Sequence, residues 1–78
     1  MHEKADPADA NQIAVPFAGA LTPLVSEGDD VVAGQPLARI EAMKLEASIP
    51  APRDGSVVRL VLADPTQADG GDLFLVLG

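Results

Sequence analysis

The sequence contains no cysteine, tryptophan or tyrosine, and its two aromatic residues are Phe17 and Phe74. Without cysteine the chain cannot form disulfides, thiolate nucleophiles or zinc–thiolate sites, and we expect a cytoplasmic protein. Without more aromatic side chains it lacks the stacking platforms on which single-stranded nucleic acids and many sugars bind. These absences remove most of the chemistry that side chains alone could perform.

Basic residues and long apolar runs are also scarce. Five Lys and Arg residues against twelve Asp and Glu give a formal net charge of −7 over 78 residues. This charge repels phosphate backbones and anionic lipid headgroups, so we expect neither nucleic-acid nor membrane partners. The longest apolar run, Leu73 to Leu77, is too short to cross a bilayer. The single histidine, His2, lies in the polar amino-terminal segment, so no Ser/His/Asp or Cys/His catalytic constellation is predicted.

Glycine and proline, by contrast, recur along the whole chain. There are seven of each, and they separate apolar segments of about four to nine residues, the usual length of β-strands. These segments are rich in Val, Leu and Ile, which predicts an all-β fold. Residues 1–11 are polar and poor in apolar side chains, which predicts a flexible tail or linker before a folded domain over residues 12–78.

A repeat relates the two halves of the sequence at an offset of 36 residues. Glycines and apolar residues coincide at this offset, which predicts two similar β-units packed together. The matches pair Gly19 with Gly55, Leu21 with Val57, Leu24 with Leu60, Val25 with Val61, Gly34 with Gly70, Leu37 with Leu73 and Ile40 with Val76.

The longest segment without glycine or proline runs from Leu37 to Ile49. Helix propensity alone favours a helix over residues 40–47. A hairpin with a two-residue turn at Met43 and Lys44 fits better, because residues whose numbers sum to 87 then face each other and the faces separate by polarity. The apolar pairs are Ala42 with Leu45, Ile40 with Ala47 and Ala38 with Ile49; the polar pairs are Arg39 with Ser48 and Glu41 with Glu46.

This hairpin breaks two local rules at its turn. Met-Lys is a poor turn pair, because two-residue turns often need positive φ and favour Asn-Gly or Asp-Gly. Glu41 also faces Glu46, although Arg39 lies close enough on the diagonal to relieve the repulsion. Such violations concentrate at functional sites. Lys44, at the tip of the turn, is therefore a candidate functional residue.

The segment Glu41-Ala42-Met43-Lys44-Leu45-Glu46 resembles the Glu-Ala-Met-Lys signature of the biotinyl carrier domains of biotin-dependent carboxylases. The flanking phrases 16–19, 27–29, 32–37, 54–55 and 70–73 are similar to that family as well, so the resemblance covers residues 13–77. Within the family, the phrasing is most similar to the carboxyl-terminal domain of bacterial pyruvate carboxylase. Leu45 stands where the family most often has a second methionine, a volume-conserving difference.

The resemblance implies a flattened β-barrel or sandwich of two four-stranded antiparallel sheets with pseudo-twofold symmetry. It also implies that a biotin protein ligase attaches biotin to Lys44, which is flanked by Glu41, Ala42, Met43 and Leu45. The domain itself would be non-catalytic and would hold no metal. It would carry CO₂ as N-carboxybiotin between the biotin carboxylase and carboxyltransferase sites of an ATP-dependent enzyme, with pyruvate carboxylase, which converts pyruvate to oxaloacetate, as the first expectation. The stretch 5–11 would then be the hinge of a swinging arm.

Three alternatives remain open from the sequence. The first is the carrier domain of an acetyl- or propionyl-CoA carboxylase. The second is a lipoyl carrier, which shares the fold but shows Asp-Lys followed by a small or β-branched residue, unlike Met43-Lys44-Leu45. The third is an unmodified structural adaptor in which Lys44 is an ordinary solvated lysine. Lys4 is expected to be irrelevant because it lies on the tail.

Several other residues have simpler interpretations. Met43 could fill the core, but its place in the turn predicts exposure. The acidic pairs Asp29–Asp30 and Asp69/Asp72 match no calcium-binding loop and are predicted to be turn residues. His2 has no partner with which to bind a metal.

Overall fold

Eight short β-strands account for the regular structure of this chain in the computed structural model, which describes residues 2–78. No helix occurs among these residues, and the all-β prediction is confirmed. The strands are β1 (Gln12–Ala14), β2 (Gly19–Pro23), β3 (Asp30–Val31), β4 (Pro36–Ala42), β5 (Leu45–Pro50), β6 (Gly55–Leu60), β7 (Thr66–Ala68) and β8 (Leu73–Leu77).

The strands form two four-stranded antiparallel sheets with the orders β1-β8-β6-β3 and β5-β4-β2-β7. Exchanging β1 with β5, β8 with β4, β6 with β2 and β3 with β7 converts one order into the other. The two sheets are therefore related by a pseudo-twofold operation, as expected from the resemblance. The exchange also explains the sequence repeat, because β2 to β4 recur as β6 to β8.

The repeat changes its offset at a β-bulge in β6. Val57 pairs with Leu77, but the next pair is Arg59 with Val76, so Val58 is an extra residue in its strand. A bulge of this kind inserts one residue into one strand of an antiparallel pair. The equivalent pairing of β2 with β4 contains no such step. The offset is consequently 36 before Val58 and 37 after it.

The predicted repeat pairs beyond the bulge are therefore wrong by one residue. Leu24 donates its N–H to the Leu37 carbonyl at 2.9 Å, and the equivalent bond joins Val61 to Phe74, also at 2.9 Å. The pairs Gly19 with Gly55 and Leu21 with Val57, which precede the bulge, are consistent with the structure. The corrected pairs are Leu24 with Val61, Val25 with Leu62, Gly34 with Gly71, Leu37 with Phe74 and Ile40 with Leu77.

The core lies between the two sheets and is built from equivalent positions in both halves. Leu37 and Phe74 are both fully buried, as are Ile40 and Leu77. Burying a side chain of this size contributes roughly 1.5–3 kcal/mol relative to leaving it exposed. Phe17 is partly buried and packs against the edge of this core. The buried ends of β4 and β8 thus fix the two sheets against each other.

The amino-terminal segment follows a defined path over the domain. Leu73 donates its N–H to the Glu3 carbonyl at 2.7 Å, Ala5 donates to Gly71 at 2.9 Å, and Lys4 forms an isolated antiparallel bridge with Asp72. The polar composition of residues 1–11 did not predict these contacts. The linker role of this segment stays a prediction, and Met1 lies outside the described residues.

Candidate functional site: the Lys44 hairpin

The hairpin formed by β4 and β5 has the register that the sequence predicted. Five cross-strand pairs sum to 87: Ala38 with Ile49, Arg39 with Ser48, Ile40 with Ala47, Glu41 with Glu46 and Ala42 with Leu45. The helix that propensity favoured over residues 40–47 does not form, because the alternation of apolar and polar residues buries one face of each strand. The two-residue turn contains Met43 and Lys44.

Strain and exposure coincide at this turn. Met43 has a φ of 54° and is the single non-glycine residue with positive φ among residues 2–78. Its side chain is fully exposed, and that of Leu45 is 67% exposed, so the predicted exposure of Met43 is confirmed. Lys44 is also exposed, and within residues 2–78 its amine takes part in no hydrogen bond or ion pair. The amine is therefore free to react with a molecule that approaches the tip.

The base of the hairpin is held rigidly by the core and by a close backbone contact. Ile40 and Ile49 are buried and anchor its two strands. Gly19, on the neighbouring strand β2, lies so close that a Cβ atom there would be 2.5 Å from the Glu41 carbonyl oxygen. Only glycine allows this approach without movement of the backbone. The contact positions the last residues of β4, which lead into the turn.

Charged side chains pair across the outer face of the hairpin. Arg39 forms an ion pair with Glu46, and both side chains are about half exposed, at 51%. Glu46 also faces Glu41 directly across the two strands. Arg39 therefore offsets part of the repulsion between the two carboxylates, as the diagonal spacing predicted.

Lys4, the other lysine, has a different environment. Its amine donates to the carboxylate of Asp72, which is 1% exposed and also accepts the Asp69 N–H at 2.9 Å. The hydrogen bond with Asp72 raises the pKa of Lys4. The hydrogen bonds from Lys4 and from the Asp69 backbone lower the pKa of Asp72. Lys4 is thus occupied by a partner in the fold, which the sequence did not predict.

Three of the four acidic residues predicted to lie in turns, Asp29, Asp69 and Asp72, lie at turns, whereas the prediction is wrong for Asp30, which begins β3 and pairs with Ser56. Asp29 accepts the Ser26 N–H at 2.8 Å and Asp72 accepts the Asp69 N–H at 2.9 Å, as each would in capping its own turn. No group of three or more potential metal ligands occurs within the described range 2–78. His2 contacts the Gln67 carbonyl at 3.0 Å. Residues 2–78 contain no helix that could cross a membrane.

The site therefore consists of one exposed amine on a short, strained and well-anchored hairpin. A family model described as "Biotin-requiring enzyme" matches residues 11–77. The chain belongs to this family of biotin-requiring enzymes. The cofactor of the family is biotin, and the amine of Lys44 fits it, because covalent attachment through an amide needs an accessible amine rather than a pocket.

Two curated relatives of this biotin-requiring domain are large proteins. Pyruvate carboxylase of Aspergillus terreus is 39% identical over 71 residues, which are 90% of this chain and 6% of that protein. Urea amidolyase of Lachancea kluyveri is 37% identical over 76 residues, which are 96% of this chain and 4% of that protein. The chain therefore spans only a small part of the length of these relatives.

Solved structures share the fold. A single-chain, multi-domain long-chain acyl-CoA carboxylase superposes with a TM-score of 0.78 at 28% identity, over 95% of this chain and 8% of that one. An aspartoacylase family protein of Mesorhizobium loti superposes with a TM-score of 0.79 at 19% identity, over 97% of this chain and 26% of that one. The second likeness concerns the fold alone. The fold thus occurs in proteins with different descriptions, so the fold alone does not indicate the function. The residues of the hairpin are the more specific evidence.

Proposed function

We propose that this chain is the biotin carboxyl carrier domain of a biotin-dependent carboxylase and that Lys44 is the residue to which biotin is attached. The observation that carries the proposal is the exposed amine at the tip of the anchored hairpin, which pairs with no group among residues 2–78, in a chain of the biotin-requiring family. The other lysine supports this choice by contrast, because Lys4 is held by Asp72.

The hairpin places the backbone of Lys44 at a defined position and leaves its amine exposed. A biotin protein ligase, the first partner we propose, would supply biotin as an acyl-adenylate. Lys44 Nζ, as the free amine, would attack the acyl carbon, the bond to AMP would break, and the nitrogen would give up one proton as the amide forms. The burial of Ile40 and Ile49 and the close approach of Gly19 to Glu41 anchor the base of the hairpin. A backbone that is already ordered loses little conformational freedom when the hairpin enters the ligase, which favours this site over a lysine on a mobile segment.

Biotin held on Lys44 would supply the chemistry of carboxyl transfer between two active sites. The part of this chain is to carry and orient the cofactor. Met43 and Leu45 place adaptable apolar surface on either side of Lys44, suited to docking at two sites of different shape. A flexible connection to the rest of the enzyme raises the effective concentration of the cofactor at both sites, the swinging-arm arrangement.

The proposed partners are the biotin carboxylase and carboxyltransferase parts of the parent enzyme. Pyruvate carboxylase is the parent that we favour, because relatives of that name from Aspergillus terreus and Staphylococcus aureus are 39% and 37% identical to this chain. A urea amidolyase or an acyl-CoA carboxylase is the alternative. A carrier domain does not form the acceptor pocket, so its residues do not select the substrate. A cytoplasmic location stays a prediction.

The decisive experiment measures the intact mass of the chain after co-expression with a biotin protein ligase and biotin. We expect the wild type to gain one biotinyl group and Lys44→Arg to gain none. Lys4→Arg is the matched control and should be modified like the wild type. Circular dichroism should show the same β-fold in all three proteins. An unmodified wild type, or modification of Lys44→Arg, would contradict the proposal.

A further inference from the structure

The segment Glu3–Ala5, called the strap below, lies as a short added strand against the beginning of β8. Two backbone hydrogen bonds hold it, from Leu73 N–H to the Glu3 carbonyl at 2.7 Å and from Ala5 N–H to the Gly71 carbonyl at 2.9 Å. Between them, the amine of Lys4 reaches the carboxylate of Asp72. The strap therefore lies beside the turn that precedes β8 and contacts it at Gly71 and Asp72.

The equivalent turn in the other half shows what this turn needs without a strap. Gln35 accepts the Val32 N–H through its side chain at 3.2 Å and donates its own N–H to the Val32 carbonyl at 3.0 Å. Asp72 makes the same two bonds with Asp69, at 2.9 and 3.1 Å. A neutral amide is thus sufficient to cap this turn. The charge of Asp72 is not required by the turn, and its other oxygen pairs with the strap.

The remaining contacts of the strap are weak. Glu3 forms an ion pair with Arg59 at 2.8 Å, but both side chains are about half exposed, and exposed pairs of this kind contribute little. The Lys4 side chain is itself 58% exposed, although Asp72 is buried. A segment held by two backbone bonds and one buried carboxylate can open without unfolding of the domain.

The strap also decides where the amino-terminal chain leaves the domain. Its partner Leu73 begins β8, whereas Leu77 at the other end of β8 donates its N–H to the Asn11 carbonyl at 2.8 Å. Residues 3–11 therefore lead from the beginning of β8 to its end. The beginning of β8 lies at the hairpin end of the domain, because Ala68, just before its turn, pairs with Gly19, which contacts Glu41.

We propose that the strap is a releasable latch that sets the length of the tether of this carrier domain. With the strap docked, the chain leaves the domain beside β7, where His2 contacts the Gln67 carbonyl, at the hairpin end. With the strap released, the chain leaves at Asn11 and the tether gains the stretch 3–11, which spans up to about 30 Å when extended. This gain is similar to the longest dimension of the domain, 31 Å. The role as a tether rests on the proposed function, whereas docking and release do not.

Amide hydrogen exchange, measured residue by residue by NMR on the unbiotinylated chain, tests the latch. In the wild type we expect the amides of Ala5 and Leu73 to be protected. Lys4→Ala and Asp72→Asn should each increase their exchange on the order of tenfold, because they remove a charge-assisted hydrogen bond. Ile40, in the core of β4, should keep its protection in both variants. Lys4→Arg should restore protection at Ala5 and Leu73.

Asp30→Asn is the matched control, since it removes one carboxylate at an exposed position of β3 and should leave both amides unchanged. Exchange of Ala5 and Leu73 at the rate of an unstructured peptide in the wild type would overturn the proposal. Equal protection in the wild type, Lys4→Ala and Asp72→Asn would also overturn it, because the ion pair would then not hold the strap.

A distance measurement separates release from mere loosening. The chain has no cysteine, so spin labels can be placed at His2→Cys and Gln67→Cys, whose parent residues are in contact when the strap is docked. We expect short distances with Lys4 present and a broad distribution extending to tens of ångströms in Lys4→Ala. Short distances in both proteins would contradict release. None of these measurements involves biotin, so they can fail or succeed independently of the modification of Lys44.

Discussion

In each half of this domain an outer strand pairs with its neighbour, β5 with β4 and β1 with β8. We call the end of each pair, beyond Ala42 in one half and beyond Leu77 in the other, a corner, and the two corners differ. In one half, β4 and β5 are joined by the turn of Met43 and Lys44. In the other half, the equivalent strands β8 and β1 pair in the same way, but they run on to Gly78 and to Asn11 without a joining turn. The fold therefore supplies two similar corners, and the covalent turn alone makes one of them a presenting site for an amine. The proposed function depends on that closure more than on the fold.

The largest difference between the corners should appear when their equivalent glycines are replaced. A Cβ on Gly19 would lie 2.5 Å from the Glu41 carbonyl oxygen inside a sheet, so we expect Gly19→Ala to cost about 1–3 kcal/mol of unfolding free energy. A Cβ on Gly55 would lie 2.7 Å from the carbonyl oxygen of Gly78 and 2.8 Å from the Arg53 side chain. The Arg53 side chain can rotate away, and the Gly78 carbonyl accepts only long hydrogen bonds, at 3.4 Å from Ser56 and 3.2 Å from Arg53, so Gly55→Ala should cost less than Gly19→Ala.

Urea denaturation of the two glycine variants measures this difference. An equal loss of stability in both would show that the closed corner is no more rigid than the open one.

The strain of Met43 gives the next effect. A non-glycine residue in the left-handed region costs roughly 1–2 kcal/mol, and asparagine tolerates that region better than methionine does. We therefore expect Met43→Asn to stabilise the domain by up to about 1 kcal/mol. Leu45→Asn, a control beside the turn without positive φ, should not stabilise it. Thermal unfolding of both variants tests this, and a lower melting temperature for Met43→Asn would speak against strain at the tip.

The ion pair on the hairpin should contribute less. Arg39 and Glu46 are both about half exposed, and pairs of this kind contribute about 0.2–1 kcal/mol. The residue equivalent to Arg39 in the other half is Val76, so this charge is special to the hairpin. A double-mutant cycle of Arg39→Gln and Glu46→Gln should give a coupling in that range that shrinks in high salt. A coupling free energy of zero at low salt would show that the ion pair does not stabilise the hairpin.

The contribution of the Lys4–Asp72 pair to stability should depend on pH only outside the neutral range. The pKa of Asp72 is lowered from 3.8, so its contribution is present above that pH and is lost as the pH falls through the lowered value. The pKa of Lys4 is raised from 10.5, so its contribution is present below that pH and is lost as the pH rises through the raised value. Asp69 and His2 are the other charged or titratable groups that act on this pair.

The difference in melting temperature between the wild type and Asp72→Asn should therefore be constant from about pH 5 to 9. It should shrink at more acidic pH. A difference that changed steadily across neutral pH would indicate that another group titrates with the strap.

The sequence predicted the hairpin well because its information is local. Alternation on both strands leaves a single register that buries Ile40 and Ile49 together, and this register excludes the helix despite its favourable propensity. The same alternation located the turn and, with it, Met43 and Lys44. Alternation of apolar and polar residues is sufficient to predict the register of a hairpin wherever one of its faces is buried.

The bulge and the strap could not be predicted in this way. Val58 adds one residue beside another valine, where an extra valine does not change the apolar pattern, so the sequence predicts one constant offset and is wrong beyond the bulge. The strap docks through backbone bonds and one charge pair, between Lys4 and Asp72, which are 68 residues apart. Neither periodicity nor hydrophobicity records a contact of this kind. The burial of Asp72 depends on it and was missed for the same reason.

The pairing of Leu77 with Asn11 has a consequence for chain connectivity. Because the carboxyl end of β8 lies beside the residue that precedes β1, a short linker from Gly78 to Asn11 would close the second corner. New termini could then be opened between Met43 and Lys44. Such a circular permutant would have the same two sheets with their roles interchanged, and we expect it to retain the β-fold by circular dichroism. A lysine in the new linker would then ask whether a biotin protein ligase distinguishes the two corners by their loop sequence or by the sheet beneath it.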